Sequence, residues 1–182
     1  MVRPSKMERG TFTCYDNFVP TDSVGSPKHD VNCGAVAHLA ALLSAGLGSN
    51  QRPVTLAGFS KGVVVLNQIV RELQMEQALM IEQMVWLDGG HNGGKDIWLT
   101  DKKILEAIVE KKISVDVRVT PYQVRNQNRP WIRREEKLFT GTLQRLGADI
   151  VRNLYFEEEE SSIENHFRVI ETFKTHPLKH MP

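Results

Sequence analysis

Ser60, Asp88 and His166 are the residues of this chain whose types, order and spacing suit covalent acyl chemistry. A serine hydroxyl is a weak nucleophile until an imidazole takes its proton, and a carboxylate must hold that imidazole in the right tautomer. Ser60 stands at the centre of Gly58-Phe59-Ser60-Lys61-Gly62, a G-x-S-x-G pattern. The apolar run Val54-Thr55-Leu56-Ala57 precedes it, and Val63-Val64-Val65-Leu66-Asn67-Gln68-Ile69-Val70 follows with helical spacing. A strand that turns sharply into a helix at a serine thrusts the hydroxyl outward. Both flanking glycines are expected to serve sterics, because a Cβ on either side would collide with the neighbouring strand or helix. The plainer reading of the same letters is a Gly-rich turn whose serine caps the helix.

The strand–elbow–helix setting predicts an α/β-hydrolase-like fold, in which the chain order is Ser, acid, His and the three gather at the carboxyl ends of the strands. His166 follows the last predicted strand and falls in the first turn of the final helix. Its competing role is a half-buried helix-edge histidine between Ile163 and Ile170. His176 and His180 lie in a Pro-containing tail and are weaker candidates. Asp88 ends the strand after the elbow helix, in Trp86-Leu87-Asp88-Gly89-Gly90-His91. The turn after the next strand, Thr120-Pro121-Tyr122-Gln123-Val124, holds no carboxylate, which favours Asp88 as the acid. Asp96 is the second choice, and Asp101 reads as a helix cap. The backbone N–H of Lys61 is expected to supply one oxyanion-hole donor. Phe59 and His91 are expected to line the pocket, His91 having an equal claim to a surface-loop role.

The elements that must position these residues alternate along the chain. Thr11 to Tyr15 reads as a strand, and Ala35 to Leu43 as a helix ended near Gly46 and Gly48. Strands are predicted up to Ala57, within Met80 to Leu87, over Ile113 to Val119 with strict alternation, and over Ile150 to Phe156. Helices are predicted after the elbow, around Ile104 to Val109, over Ile132 to Leu146, and from Ile163 to Phe173. This order implies a mostly parallel sheet with helices on both faces. The domain reading is a single unit over 1–182, with 1–33 loosely packed and 174–182 a flexible tail. A chain of 182 residues, 41% hydrophobic and 25% charged, has the makings of one globular core. Its net charge of +1 gives no field that would favour nucleic acid, and no apolar run reaches membrane-span length. Cys14 and Cys33 do not make a disulfide framework, and no metal-ligand spacing occurs, so neither metal nor cofactor is expected. The expected partners are a small-molecule ester or thioester and, on the scaffold alternative, a protein.

Several stretches together resemble a poorly characterised mitochondrial family named after a chromosome-two open reading frame. They are Leu56 to Gln68, Trp86 to His91, Val119 to Val124, Ser162 to Ile170, Val2 to Ser5 and Cys14 to Phe18. The resemblance covers nearly the whole chain. It implies an α/β-hydrolase-like fold and residence in the mitochondrial matrix, and no established substrate. The first ten residues carry no targeting pattern, which leaves the cytosol as the alternative for this chain. Family members are longer at the amino end, so the resemblance implies an N-terminally truncated domain lacking the strand that would neighbour Thr11 to Tyr15. The loop after that strand would carry the second oxyanion donor. On this reading the longer relatives hydrolyse an ester or thioester, and the present chain is expected to be inactive. The competing reading is a hydrolase-fold scaffold without catalysis.

Overall fold

A computed structural model describes residues 6–8, 12–23, 26–48, 52–73, 79–91 and 93–175. The short strands β1 (Lys6–Glu8) and β2 (Phe12–Cys14) pair antiparallel with each other. A loop leads to helix α1 (Ala35–Leu47), which Gly48 ends in the left-handed conformation at φ 71°. The central unit then builds up as β3 (Val54–Phe59), α2 (Val63–Glu72), β4 (Ile81–Leu87), α3 (Lys102–Glu110) and β5 (Ser114–Val119). It continues through the short α4 (Pro121–Val124), the long α5 (Pro130–Arg145), β6 (Ile150–Leu154), α6 (Ile163–Arg168) and the closing turn α7 (Thr172–Thr175).

Strands β3 to β6 form one four-stranded sheet in sequence order, every pair parallel. Parallel neighbours need crossovers, and here each is a helix. The pleat decides which side chains meet which layer. On β5, Val115, Val117 and Val119 join the main core, where α3 contributes Leu105 and Ile108, and α5 contributes Ile132, Phe139 and Leu143. Those α5 positions are spaced seven and four residues apart, about two turns and one turn, and so make one apolar stripe. Asp116 and Arg118 point to the opposite face, where they pair with each other at 2.8 Å.

Helices flank both faces, but unevenly. The second face holds a small cluster of Val85, Leu87 and Val169, with Phe59, Tyr155 and Phe173 packed on it. Among the described residues its cover is the chain from α6 to α7. Thr55 and Ala57 on β3, and Val151 and Asn153 on β6, stay exposed as a result.

The strand expected at Thr11 to Tyr15 is found over Phe12–Cys14, outside this sheet. Within the described residues β2 pairs with β1 and not with β3. Downstream of it, Phe18 and Val19 are buried at 2% and 0% exposure. Of the expected tail, residues 176–182 lie outside the described residues, and 172–175 are helical.

Candidate active site

Three neighbouring strands end side by side, and each delivers a polar residue at its carboxyl end. Phe59 of β3 is in register with Leu87 of β4, which is in register with Arg118 of β5. Ser60 follows β3 directly, Asp88 follows β4, and Thr120 follows β5. Ser60 has φ 53° and Asp88 has φ 45°, left-handed values that cost a residue with a Cβ roughly 1–2 kcal/mol. Such strain persists only where surrounding structure enforces it. At Ser60 the enforcement is the passage from β3 into a single 3₁₀ turn, Ser60–Gly62, and then α2. The Gly90 N–H also donates to the Ser60 carbonyl at 3.4 Å.

The glycines of the elbow are not equivalent. A Cβ on Gly58 would meet the Gly62 carbonyl oxygen and the Leu66 side chain at 3.0 Å. A Cβ on Gly62 would meet only the Tyr15 hydroxyl, at an ordinary 3.8 Å. The expected clash on both flanks therefore holds for Gly58 alone, because Gly62 sits at helical φ −59° with its α-carbon facing space.

Asp88 is fully buried and spends its oxygens on three donors. Oδ1 accepts the Thr120 N–H at 2.7 Å, and Oδ2 accepts the Thr120 hydroxyl at 2.6 Å. The third donor is His166 Nδ1, 2.7 Å from Oδ2. An ionised carboxylate only accepts, so Nδ1 carries the proton and Nε2 is the basic nitrogen. His166 comes from α6, whose first turn is fixed by Ser162 accepting the Asn165 N–H at 3.2 Å. Its ring lies between two aromatic neighbours, Phe59 at 4.7 Å and Tyr122 at 5.0 Å between centroids. Burial at 4% exposure and two flanking rings leave the imidazole little rotational freedom.

Ser60, His166, Phe59, Lys61 and His91 all line one cleft of about 390 Å³. Among the described residues, Ser60 Oγ makes no hydrogen bond to His166. Catalytic hydrogen bonds are often long before substrate binds, so a shared cleft is the relevant geometry. Asp96, the alternative acid, is elsewhere: its N–H donates to Glu135 Oε1 at 3.1 Å, and its carbonyl faces His91. Asp101 is a cap, accepting the Lys103 N–H at 2.9 Å.

His91 is held quite differently from His166. Its Nδ1 accepts the Gly93 N–H at 2.9 Å, so Nε2 carries the proton and points at the Asp96 carbonyl at 3.4 Å. Burial is the main cause that lowers its pKa to about 4, and the nearby charge of Lys61 adds to that. His91 therefore stays neutral where an ordinary histidine titrates.

Sequence reasoning passed over Thr120, Tyr122, Gln123 and Arg129, all of which shape the site. The available signal was positional: Thr120-Pro121-Tyr122-Gln123 follows a strand of a parallel sheet, where site residues collect. Read only for a carboxylate, that turn looked empty, yet it carries the groups that orient Asp88 and flank His166. Among the described residues no cluster of His, Cys, Asp and Glu could hold a metal ion.

The fold and this strand-end cluster define a mixed α/β protein with a four-stranded, all-parallel sheet. The chain belongs to the C2orf69 family, whose model matches residues 1–52 and 48–149. It is 41% identical to a Danio rerio protein named mitochondrial protein C2orf69 homolog, over 95% of this chain and 59% of that protein. It is 33% identical to the Mus musculus homologue of the same name, over 95% of this chain and 65% of that one. The Homo sapiens mitochondrial protein C2orf69 is 32% identical, over 95% of this chain and 62% of its own length. The chain thus spans about three fifths of the length of these relatives. No solved structure matches it. No helix among the described residues is long and apolar enough to cross a membrane.

Proposed function

We propose that this C2orf69-family chain carries the core of an α/β-hydrolase-like serine hydrolase that cleaves an ester or thioester. The observation that carries the reading is the buried 2.7 Å bond between Asp88 and His166, in a cleft shared with a serine at left-handed φ. In the reaction, Ser60 Oγ attacks the carbonyl carbon while His166 Nε2 takes the hydroxyl proton. The negative charge on the carbonyl oxygen is met by the Lys61 backbone N–H. Collapse breaks the ester or thioester bond, and the leaving alcohol or thiol takes the proton from His166. Water then attacks the acyl carbon as the same nitrogen takes its proton; the Ser60 Oγ–acyl bond breaks, and Oγ takes that proton back as the acid leaves. Asp88 orients the imidazole and stabilises its protonated form. The names of the relatives support a mitochondrial setting, and the matrix is our placement.

A scaffold without catalysis is the second reading, favoured by the lack of a Ser60–His166 hydrogen bond among the described residues. A fluorophosphonate probe separates the two. We expect it to label Ser60 in this chain and the equivalent serine of the Danio rerio relative, with labelling lost in Ser60→Ala. Absence of labelling in both, where a control hydrolase is labelled, leaves the scaffold reading.

A further inference from the structure

We infer that the cleft takes an ester or thioester bearing an anionic group, a carboxylate or phosphate, which Arg129 holds beside Gln123. The inference rests on the hydrolase reading above and names its substrate class. Among the described residues, Lys61 and Arg129 line the cleft and no Asp or Glu does. Asp88 lies behind His166 and is already engaged by three donors. Arg129 therefore presents a positive charge to a ligand in the cleft.

Arg129 is the arginine among the described cleft-lining residues, and it differs from four arginines that are paired. Arg125 is paired with Glu157, Arg168 with Glu159, Arg118 with Asp116 and Arg152 with Glu136. Arg129 makes no ion pair among the described residues. Its guanidinium lies 5.7 Å from the Tyr122 ring centroid, and that ring flanks His166. The charge is thus held one aromatic ring away from the general base. A half-buried guanidinium with its fork unclaimed matches the two oxygens of a carboxylate or phosphate.

Gln123 supplies an independent observation. It is 3% exposed, lines the same cleft, and its Oε1 has no hydrogen-bond partner. A ligand group that pairs with this buried amide adds a hydrogen bond that the described residues do not supply. The amide can turn either its oxygen or its N–H₂ group toward the ligand. The apolar part of the wall is Phe59, with Ile163 and Phe167 more than half exposed. A short hydrocarbon linking the scissile carbonyl to the anion suits that lining.

The test compares neutral p-nitrophenyl butyrate with mono-p-nitrophenyl glutarate and a phosphate-bearing aryl ester, in this chain and in the Danio rerio relative. Arg129→Gln should lower the ratio of kcat/KM for the anionic over the neutral ester about 10- to 100-fold. Arg129→Lys should restore part of that ratio. In parallel, inorganic phosphate and monomethyl glutarate are titrated while the Arg129 Nε–H resonance is followed by NMR; the stronger shift tells phosphate from carboxylate. An equal fall for all esters in Arg129→Gln would mean that Arg129 only buttresses Tyr122, and would overturn the inference. So would an unshifted Arg129 resonance with no ionic preference. Anion-dependent shifts without hydrolysis of any ester would sink the hydrolase reading and leave the anion site standing.

Discussion

His166 and His91 line the same cleft, yet they sit in two different polar surroundings. His166 gives its Nδ1 proton to a buried carboxylate and keeps Nε2 as a base. His91 accepts a backbone N–H on Nδ1, presents its Nε2 proton to a carbonyl, and meets no carboxylate through either nitrogen. An imidazolium of the kind the proposed acyl transfer would form is stabilised in the first setting and opposed in the second. Burial alone does not separate them, since both are 4% exposed. The partner on Nδ1 decides which ring can work as a base and which is a neutral brace for the 91–96 loop.

The largest effect expected from this contrast is kinetic. His166→Ala should slow phosphonylation of Ser60 by about 10⁴-fold or more, as removal of a triad base does. His91→Gln, which keeps a polar group in the same loop, should slow it by less than about tenfold. Matched losses in the two variants would break the distinction.

The next effect is on stability against pH, and its sign follows from the direction of the shift. The His91 pKa lies near 4 in the folded chain against an ordinary 6.5. Between those values the unfolded chain takes up a proton that the folded chain refuses. The stability contributed by neutral His91 is present above about pH 6.5 and is lost as pH falls toward 4, roughly 3 kcal/mol in all. His29 is also lowered, chiefly by burial, and acts in the same direction. Urea unfolding at steps across this window should show the slope, and His91→Gln should flatten most of it. A native chain with no such slope would mean that His91 is hydrated.

The smallest effects come from the two glycines of the elbow. Gly58→Ala forces a methyl against backbone and Leu66, and should destabilise by about 1–3 kcal/mol. Gly62→Ala has room and a helical φ, and should be neutral or stabilise by up to about 1 kcal/mol. Thermal unfolding of the two variants should move in opposite directions or differ by several degrees.

Much of the scaffold was legible because periodicity reports burial directly. Val115, Val117 and Val119 alternate because the two faces of β5 meet different surroundings, and Ile132, Phe139 and Leu143 share a helix face. Order and position along the chain singled out Ser60, Asp88 and His166, of which Asp88 and His166 are hydrogen-bonded and Ser60 and His166 line one cleft. What escaped were the residues that act through another group. Thr120 matters only because Asp88 reaches it across two adjacent strands, and Tyr122 only because α6 brings His166 beside its ring. Nothing local distinguishes such a threonine or tyrosine from any turn residue. The partner of β2 was illegible for the same reason, since a three-residue strand carries no mark of the edge it joins. Gly62 was misjudged because G-x-S-x-G treats its two glycines alike, whereas close approach occurs at only one.

Nitrogen NMR of the two imidazoles tests the central claim most directly, by assigning which ring nitrogen carries the proton at neutral pH. The account predicts His166 protonated on Nδ1 with a bare Nε2, His91 with the opposite tautomer, and loss of the His166 preference in Asp88→Asn. A native His166 protonated on Nε2, or exchanging freely between tautomers as in solution, would contradict it.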